Sequence, residues 1–93
     1  MISIFQKRVL EAVKRIPRGK VLTYKEIAKL ANSPKAYRAV GNILNKNPDI
    51  KTIPCHRVIR SDGQVGGYRF GTQKKISLLK KEGVLIRKRN IVT

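Results

Sequence analysis

Apolar residues recur along this chain mostly at helical spacing. Phe5, Val9, Val13 and Ile16 follow Ser3 and Gln6, a capping-box pair three residues apart. The pattern predicts a helix over 4–15, stopped by Pro17 and Gly19. Thr23 and Glu26 repeat the capping pair. Ile27, Leu30 and Ala31 then form the buried face of a short helix over 24–31, which Asn32 ends in the left-handed conformation. Ser33-Pro34 restarts a helix as cap and first-turn proline; Ala36, Val40, Ile43 and Leu44 face inward and Pro48 closes it. Past an irregular stretch from Asp49 to Cys55, residues 57–60 and 64–65 flank Ser61-Asp62-Gly63 as a hairpin, with Asp-Gly supplying positive φ. Gly66, Gly67 and Gly71 mark a loop. A last helix over 73–82 buries Ile76 and Leu79 and ends at Gly83, and 84–93 reads as a strand or as loose chain. Two short helices across a turn, then a hairpin, give a mainly α fold: a winged helix-turn-helix, a small helical bundle with a short hairpin wing.

Composition sharpens this. The 93 residues carry 22 Lys+Arg against 5 Asp+Glu, a net charge of +17, where a small domain usually holds a magnitude of about 2–8. A hydrophobic fraction of 41% supplies one core, so residues 1–93 read as a single domain. No apolar run exceeds three residues. A membrane span needs about 20, and there is no signal-peptide segment, so the expected location is cytoplasmic, on the nucleoid in a prokaryote. One cysteine excludes an internal disulfide, and one cysteine with one histidine excludes a four-ligand zinc site. The charge points to nucleic acid. On the third helix Arg38, Gly41, Asn42 and Asn45 share the face away from the core. That is either a solvated face or a DNA-reading one. A mid-helix glycine costs about 1 kcal/mol relative to alanine. Gly41, with Ala36 and Ala39, would let a helix approach DNA closely, leaving Arg38 as the side chain that reaches between bases. Lys35, Lys46, Lys51, Arg60, Lys74 and Lys75 are either phosphate contacts or solvated surface.

A lone cysteine is ordinarily a small buried hydrophobe. Cys55, however, sits in Ile53-Pro54-Cys55-His56-Arg57, after a rigid proline and beside a potential base. Its basic surround is of the kind that favours a thiolate. This suggests a nucleophile acting on nucleic acid, but spacing does not name the electrophile.

The segments Ile16-Pro17-Arg18-Gly19, Thr23-Tyr24 with Ile27-Ala28, Arg38-Ala39-Val40-Gly41, Asn47-Pro48, Ile53-Pro54-Cys55-His56-Arg57-Val58, Gly66-Gly67-Tyr68, Lys75 with Leu78-Leu79, and Glu82-Gly83 occur in that order over nearly the whole chain. In them the chain resembles the active-site domain of the 6-O-alkylguanine-DNA alkyltransferases, or methylated-DNA–protein-cysteine methyltransferases. The resemblance implies a monomer acting on double-stranded DNA that contains alkylated guanine, with no cofactor. The helix-turn-helix would enter the minor groove and Arg38 would fill the stack as the damaged nucleotide rotates out. Cys55 would take the alkyl group in one displacement and would not be regenerated. His56 would receive the cysteine proton through a water, oriented by Glu82. Asn47 would brace the turn carrying the cysteine, although by itself it reads equally as a helix cap. Tyr24, otherwise a core-edge aromatic, would donate to the guanine ring. Tyr68, Val58 and Lys75 would belong to the pocket, Lys75 as nearby positive charge.

The chain departs from the family pattern in three places. The resemblance implies a further N-terminal domain, whereas the sequence starts at the first helix, so a single active-site domain over 1–93 is expected. Arg69 stands where a small hydroxyl residue often contacts the alkylated oxygen, and Phe70 replaces a common glycine, a bulkier rim that puts groups larger than methyl in question. Leu10 replaces a frequent tryptophan, a change of packing. The alternative is a non-enzymatic alkyltransferase-like protein that binds alkylguanine and flags the damage for other repair factors; such relatives lack the cysteine. A more distant one is an architectural winged helix with no lesion specificity.

Overall fold

The computed structural model describes residues 3–47 and 49–92. Helix α1 spans Ile4–Lys14 and α2 spans Tyr24–Leu30, and both capping boxes form as their sequence patterns require. Asn32 takes a φ of 65°, and the Ser33 N–H returns to the Ala28 carbonyl, ending α2 as expected. The third helix starts later than Ser33-Pro34 suggests. Ala36 N–H closes a turn onto the Ser33 carbonyl, and α3 runs Tyr37–Asn45 with no side-chain cap. The closing role assigned to Pro48 lies outside the described residues.

Val9, Val13 and Ile16 meet Ile27, Ala28 and Ala31 of α2 and Val40 and Leu44 of α3 in one core, which also holds Cys55 and Val58. Each fully buried Val or Ile side chain contributes about 1.5–3 kcal/mol. Leu30 is a correction, being 60% exposed. Helix α2 has barely two turns, and its inward stripe is filled by Ile27, Ala28 and Ala31.

The hairpin is also redistributed. Its turn exists: Arg60 N–H binds the Gln64 carbonyl, Gly63 N–H binds the Arg60 carbonyl, and Gly63 has a φ of 91°. Its first strand pairs elsewhere. After a 3₁₀ turn at Cys55–Arg57, strand β2 (Val58–Ile59) lies parallel to β1 (Leu22–Thr23), with Leu22 opposite Val58. Both residues of β2 are buried, which a two-stranded ribbon on the surface would not allow. Helix α4 spans Thr72–Lys81. The tail forms the regular hairpin, β3 (Ile86–Arg87) with β4 (Asn90–Ile91). Residues 63–65 join it through Val65 N–H to the Arg89 carbonyl and Ile91 N–H to the Gly63 carbonyl, both 2.8 Å. The turn and the tail together form the wing, over a second cluster of Val65, Leu79 and Val84.

Candidate active site

Pro54 ends the approach to the 3₁₀ turn and Cys55 opens it, its N–H bound to the Ile53 carbonyl at 2.8 Å. The thiol is unpaired in a disulfide and only 5% exposed. It lies on the wall of a cleft of about 340 Å³. Helix α3 supplies Gly41, Asn42, Leu44 and Asn45 to this cleft, α2 supplies Tyr24, and the loop before α4 supplies Gly67, Tyr68 and Arg69. A larger groove, about 720 Å³, runs along the outer face of α1 to Leu22 and Leu30, but it contains neither cysteine nor histidine. The reactive groups converge on the smaller cleft.

Behind Cys55 the polar groups interlock. Nε2 of His56 lies 3.1 Å from Oε2 of Glu82, though off the line of a ring N–H, so the two touch without a directed hydrogen bond. Burial pushes His56 below its ordinary 6.5, and Glu82 pulls it back only in part, which favours the neutral imidazole. Glu82 is held below the usual carboxylate range chiefly by Arg57, which binds it through two nitrogens at 3.0 and 2.7 Å. The third arm of Arg57 donates to the Ile16 carbonyl at 2.7 Å. Arg57 is the functional residue missed in the sequence. The available signal was a chain with only five acids, in which a buried carboxylate has many cations competing for it.

Asn47 is 2% exposed. Its amide donates to the Ile53 carbonyl at 3.0 Å and its oxygen accepts from Asp49 N–H at 3.0 Å, so it ties the end of α3 to the turn that carries Cys55. Its side chain therefore bridges two segments and is not confined to the helix end. Tyr24 and Tyr68 are both held above the usual phenol value, first by burial and then by Cys55, so each hydroxyl remains a donor. Tyr68 also packs edge-on to His56, 6.5 Å between centroids.

Two expected pocket residues lie outside the cleft. Val58 is wholly buried in the core next to Cys55, because β2 turns it toward β1. Lys75 is also wholly buried, so it meets no phosphate and stands behind the cleft wall, touching it through Gly67. Its Nζ donates to the Val58 carbonyl at 2.6 Å and the Gly67 carbonyl at 3.0 Å, and stands 5.7 Å from the Tyr24 ring centre. Burial lowers its pKa to about 8, with Cys55 acting the other way.

On α3, Arg38, Asn42 and Asn45 are exposed, while Ala36, Ala39 and Gly41 are half-buried. Asn42, Asn45 and Gly41 also form cleft wall, so one helix face serves both surfaces. A Cβ on Gly41 would meet only Tyr24, at 4.0 Å, so interior packing does not demand glycine there. Among the described residues, no group of three or more His, Cys, Asp or Glu could hold a metal, and no helix is long and apolar enough to cross a membrane.

Comparison with known proteins places this geometry. The chain is 54% identical over 78 residues to a methylated-DNA–protein-cysteine methyltransferase of Methanosarcina barkeri, covering 84% of this chain and 49% of that protein. The Mycobacterium tuberculosis OGT crystallised in complex with DNA superposes with a TM-score of 0.84 at 41% identity, covering 89% of this chain and 51% of that one. Schizosaccharomyces pombe Atl1, in complex with damaged DNA containing O6-carboxymethylguanine, superposes with a TM-score of 0.83 at 36% identity, covering 94% and 82%. The chain spans about half the length of the curated relatives it matches. The family described as 6-O-methylguanine DNA methyltransferase, DNA binding domain, matches residues 4–84, and the chain belongs to it.

Proposed function

We propose that this protein repairs 6-O-alkylguanine in double-stranded DNA by moving the alkyl group onto Cys55, once per molecule. The observation that carries the reading is a nearly buried thiol on a cleft of about 340 Å³, backed by the His56–Glu82–Arg57 network and faced by two phenol donors. Nε2 is the His56 nitrogen beside Glu82, which leaves Nδ1 to receive the thiol proton through a water, and Glu82 stabilises the imidazolium. Sγ attacks the alkyl carbon, the S–C bond forms as the C–O6 bond breaks, and the electron pair passes to guanine. Tyr24 donates to the ring as that charge develops. The thioether is stable, so the thiol does not return, and the step uses neither metal nor cofactor.

Because the reacting carbon is shielded inside a duplex, the nucleotide must leave the stack. Arg38 takes its place, and the small face of Ala36, Ala39 and Gly41 lets α3 approach the backbone. Asn42 and Asn45 stand where groove and cleft meet. The protein would work as a monomer wherever DNA lies, in the cytoplasm or on the nucleoid. Every residue of this route falls between Tyr24 and Glu82.

Incubation with a duplex containing 6-O-methylguanine is expected to add one methyl group to the peptide holding Cys55, stoichiometrically, as read by intact and peptide mass. Cys55→Ala should bind the same duplex and gain no mass. The second reading, a lesion binder without transfer, is favoured by one observation: Atl1 in complex with damaged DNA superposes with a TM-score of 0.83 at 36% identity. Tight lesion binding by the wild type with no change in mass would establish that reading instead.

A further inference from the structure

Arg87-Lys88-Arg89, in the tail, is the one run of three consecutive cations in the sequence. It forms the tip of the β3–β4 hairpin, where Arg87 pairs with Asn90, and all three residues are exposed. Lys88 and Arg89 hold left-handed φ values of 49° and 68°. Asn-Gly adopts such a turn with less strain, so the shape of the tip does not call for these two side chains. Position separates this run from the other surface cations. Gln64 bridges Asn90, and Val65 N–H donates to the Arg89 carbonyl at 2.8 Å, so the register sets Arg89 opposite Val65. The tip therefore lies at the end of the wing away from the Asp62-Gly63 turn. At that end the chain passes from Val65 into Gly66, where a Cβ would stand 3.6 Å from the Tyr24 ring, and then into Gly67, Tyr68 and Arg69 of the cleft wall. The hairpin follows the family-matched stretch, which ends at residue 84.

We infer that the tip of the tail hairpin is a phosphate-binding site that grips the DNA backbone beside the cleft while α3 occupies the groove. The inference rests on the action on duplex DNA proposed above. A nucleotide that leaves the stack draws its flanking phosphates toward the protein, yet Arg69 is the only cation on the cleft wall. Arg87, Lys88 and Arg89 supply the missing charge at the wing's cleft end, and each phosphate they neutralise releases its condensed counterions. Such contacts fix register without reading sequence, which suits a search for one altered base in any sequence. The duplex is then held at two points, by a helix on one side of the cleft and by a hairpin tip on the other.

The test removes the three charges while easing the turn: Arg87→Gln with Lys88→Asn and Arg89→Gly leaves a sequence that favours the same hairpin, so this variant should melt no lower than its parent. The control, Lys7→Gln with Arg8→Gln and Arg15→Gln, removes three charges from the outer face of α1, none of them on the cleft. Both are made on Cys55→Ala, so that no transfer interrupts the titration. Binding to a duplex containing 6-O-methylguanine is followed by fluorescence anisotropy between about 50 and 200 mM salt. Each phosphate contact adds about 0.9 to the slope of log K against log salt, so the tip variant is expected to lose about 2–3 from the slope and the α1 variant less than about 1. An unchanged slope in the tip variant, or an equal fall in both, overturns this inference alone. A wild type that binds the duplex but gains no methyl group overturns the transfer, and the difference in slopes still supports the tip. A parent that does not bind the duplex overturns both readings.

Discussion

On one side of the cleft Asn47, His56, Arg57, Lys75 and Glu82 are withdrawn from solvent and bound to one another or to main-chain carbonyls. On the other, Arg38, Asn42 and Asn45 of α3 stand in solvent and, among the described residues, make no side-chain hydrogen bond within the molecule. The same cleft thus joins a wall whose polar groups are paired, Nε2 of His56 excepted, to a wall whose groups are still free. On the proposed function the first holds the nucleophile in place, and the second keeps its hydrogen-bonding capacity for DNA, which supplies phosphates and base edges.

Removing a member of the satisfied wall should cost most. Arg57→Met leaves Glu82 with only His56 for charge and frees the Ile16 carbonyl. A loss of about 2–3 kcal/mol in urea unfolding is expected, below the range for a fully buried pair because Arg57 is partly exposed. Asn47→Ala comes next, at about 2 kcal/mol for the orphaned groups of Asp49 and Ile53, and transfer to Cys55 should slow with it. A stable but slow variant would sharpen the assignment of Asn47 as a brace.

Arg38→Ala should leave stability within about 0.5 kcal/mol, as surface changes do. Repair in duplex should slow by about tenfold, roughly 1.4 kcal/mol, while reaction with the free 6-O-methylguanine base changes little. Equal slowing of both would break the comparison by placing Arg38 in the chemistry. Mild acid should have the smallest effect. The folded state holds His56 below 6.5, so the unfolded chain binds the extra proton first, and stability should decline as pH falls from about 6.5. Glu82, held below its ordinary 4.5, contributes stability above that value and loses it as pH drops through its lower folded value. Calorimetry across this range should show two phases, the lower one absent in Glu82→Gln.

What the sequence made legible follows the same division. Ser3 with Gln6 and Thr23 with Glu26 act across three residues, so their caps could be read directly, and the exposed face of α3 follows from helical spacing alone. The wing could not. Asp62-Gly63 specifies a turn but not its strand partners, which come from a parallel neighbour and from the tail. The tail hairpin itself turns through Lys88 and Arg89 at positive φ, where Asn-Gly would be the usual signal. Lys75 resembles a surface lysine because a helical pattern does not reveal two carbonyls waiting in the interior. The resemblance named Cys55, His56, Asn47, Tyr24 and Glu82, but not how Arg57 neutralises the last of them.

Lys75 carries a further consequence. By gripping Val58 and Gly67 from α4, it closes two loops of the chain onto one point, as a cross-link would. Small proteins often obtain such closure from a disulfide, but this chain has a single cysteine, and the proposed transfer needs that thiol free. An ammonium clasp is indifferent to oxidants and reductants alike, so the reactive turn keeps its shape through redox changes that would loosen a sulfur-bridged one.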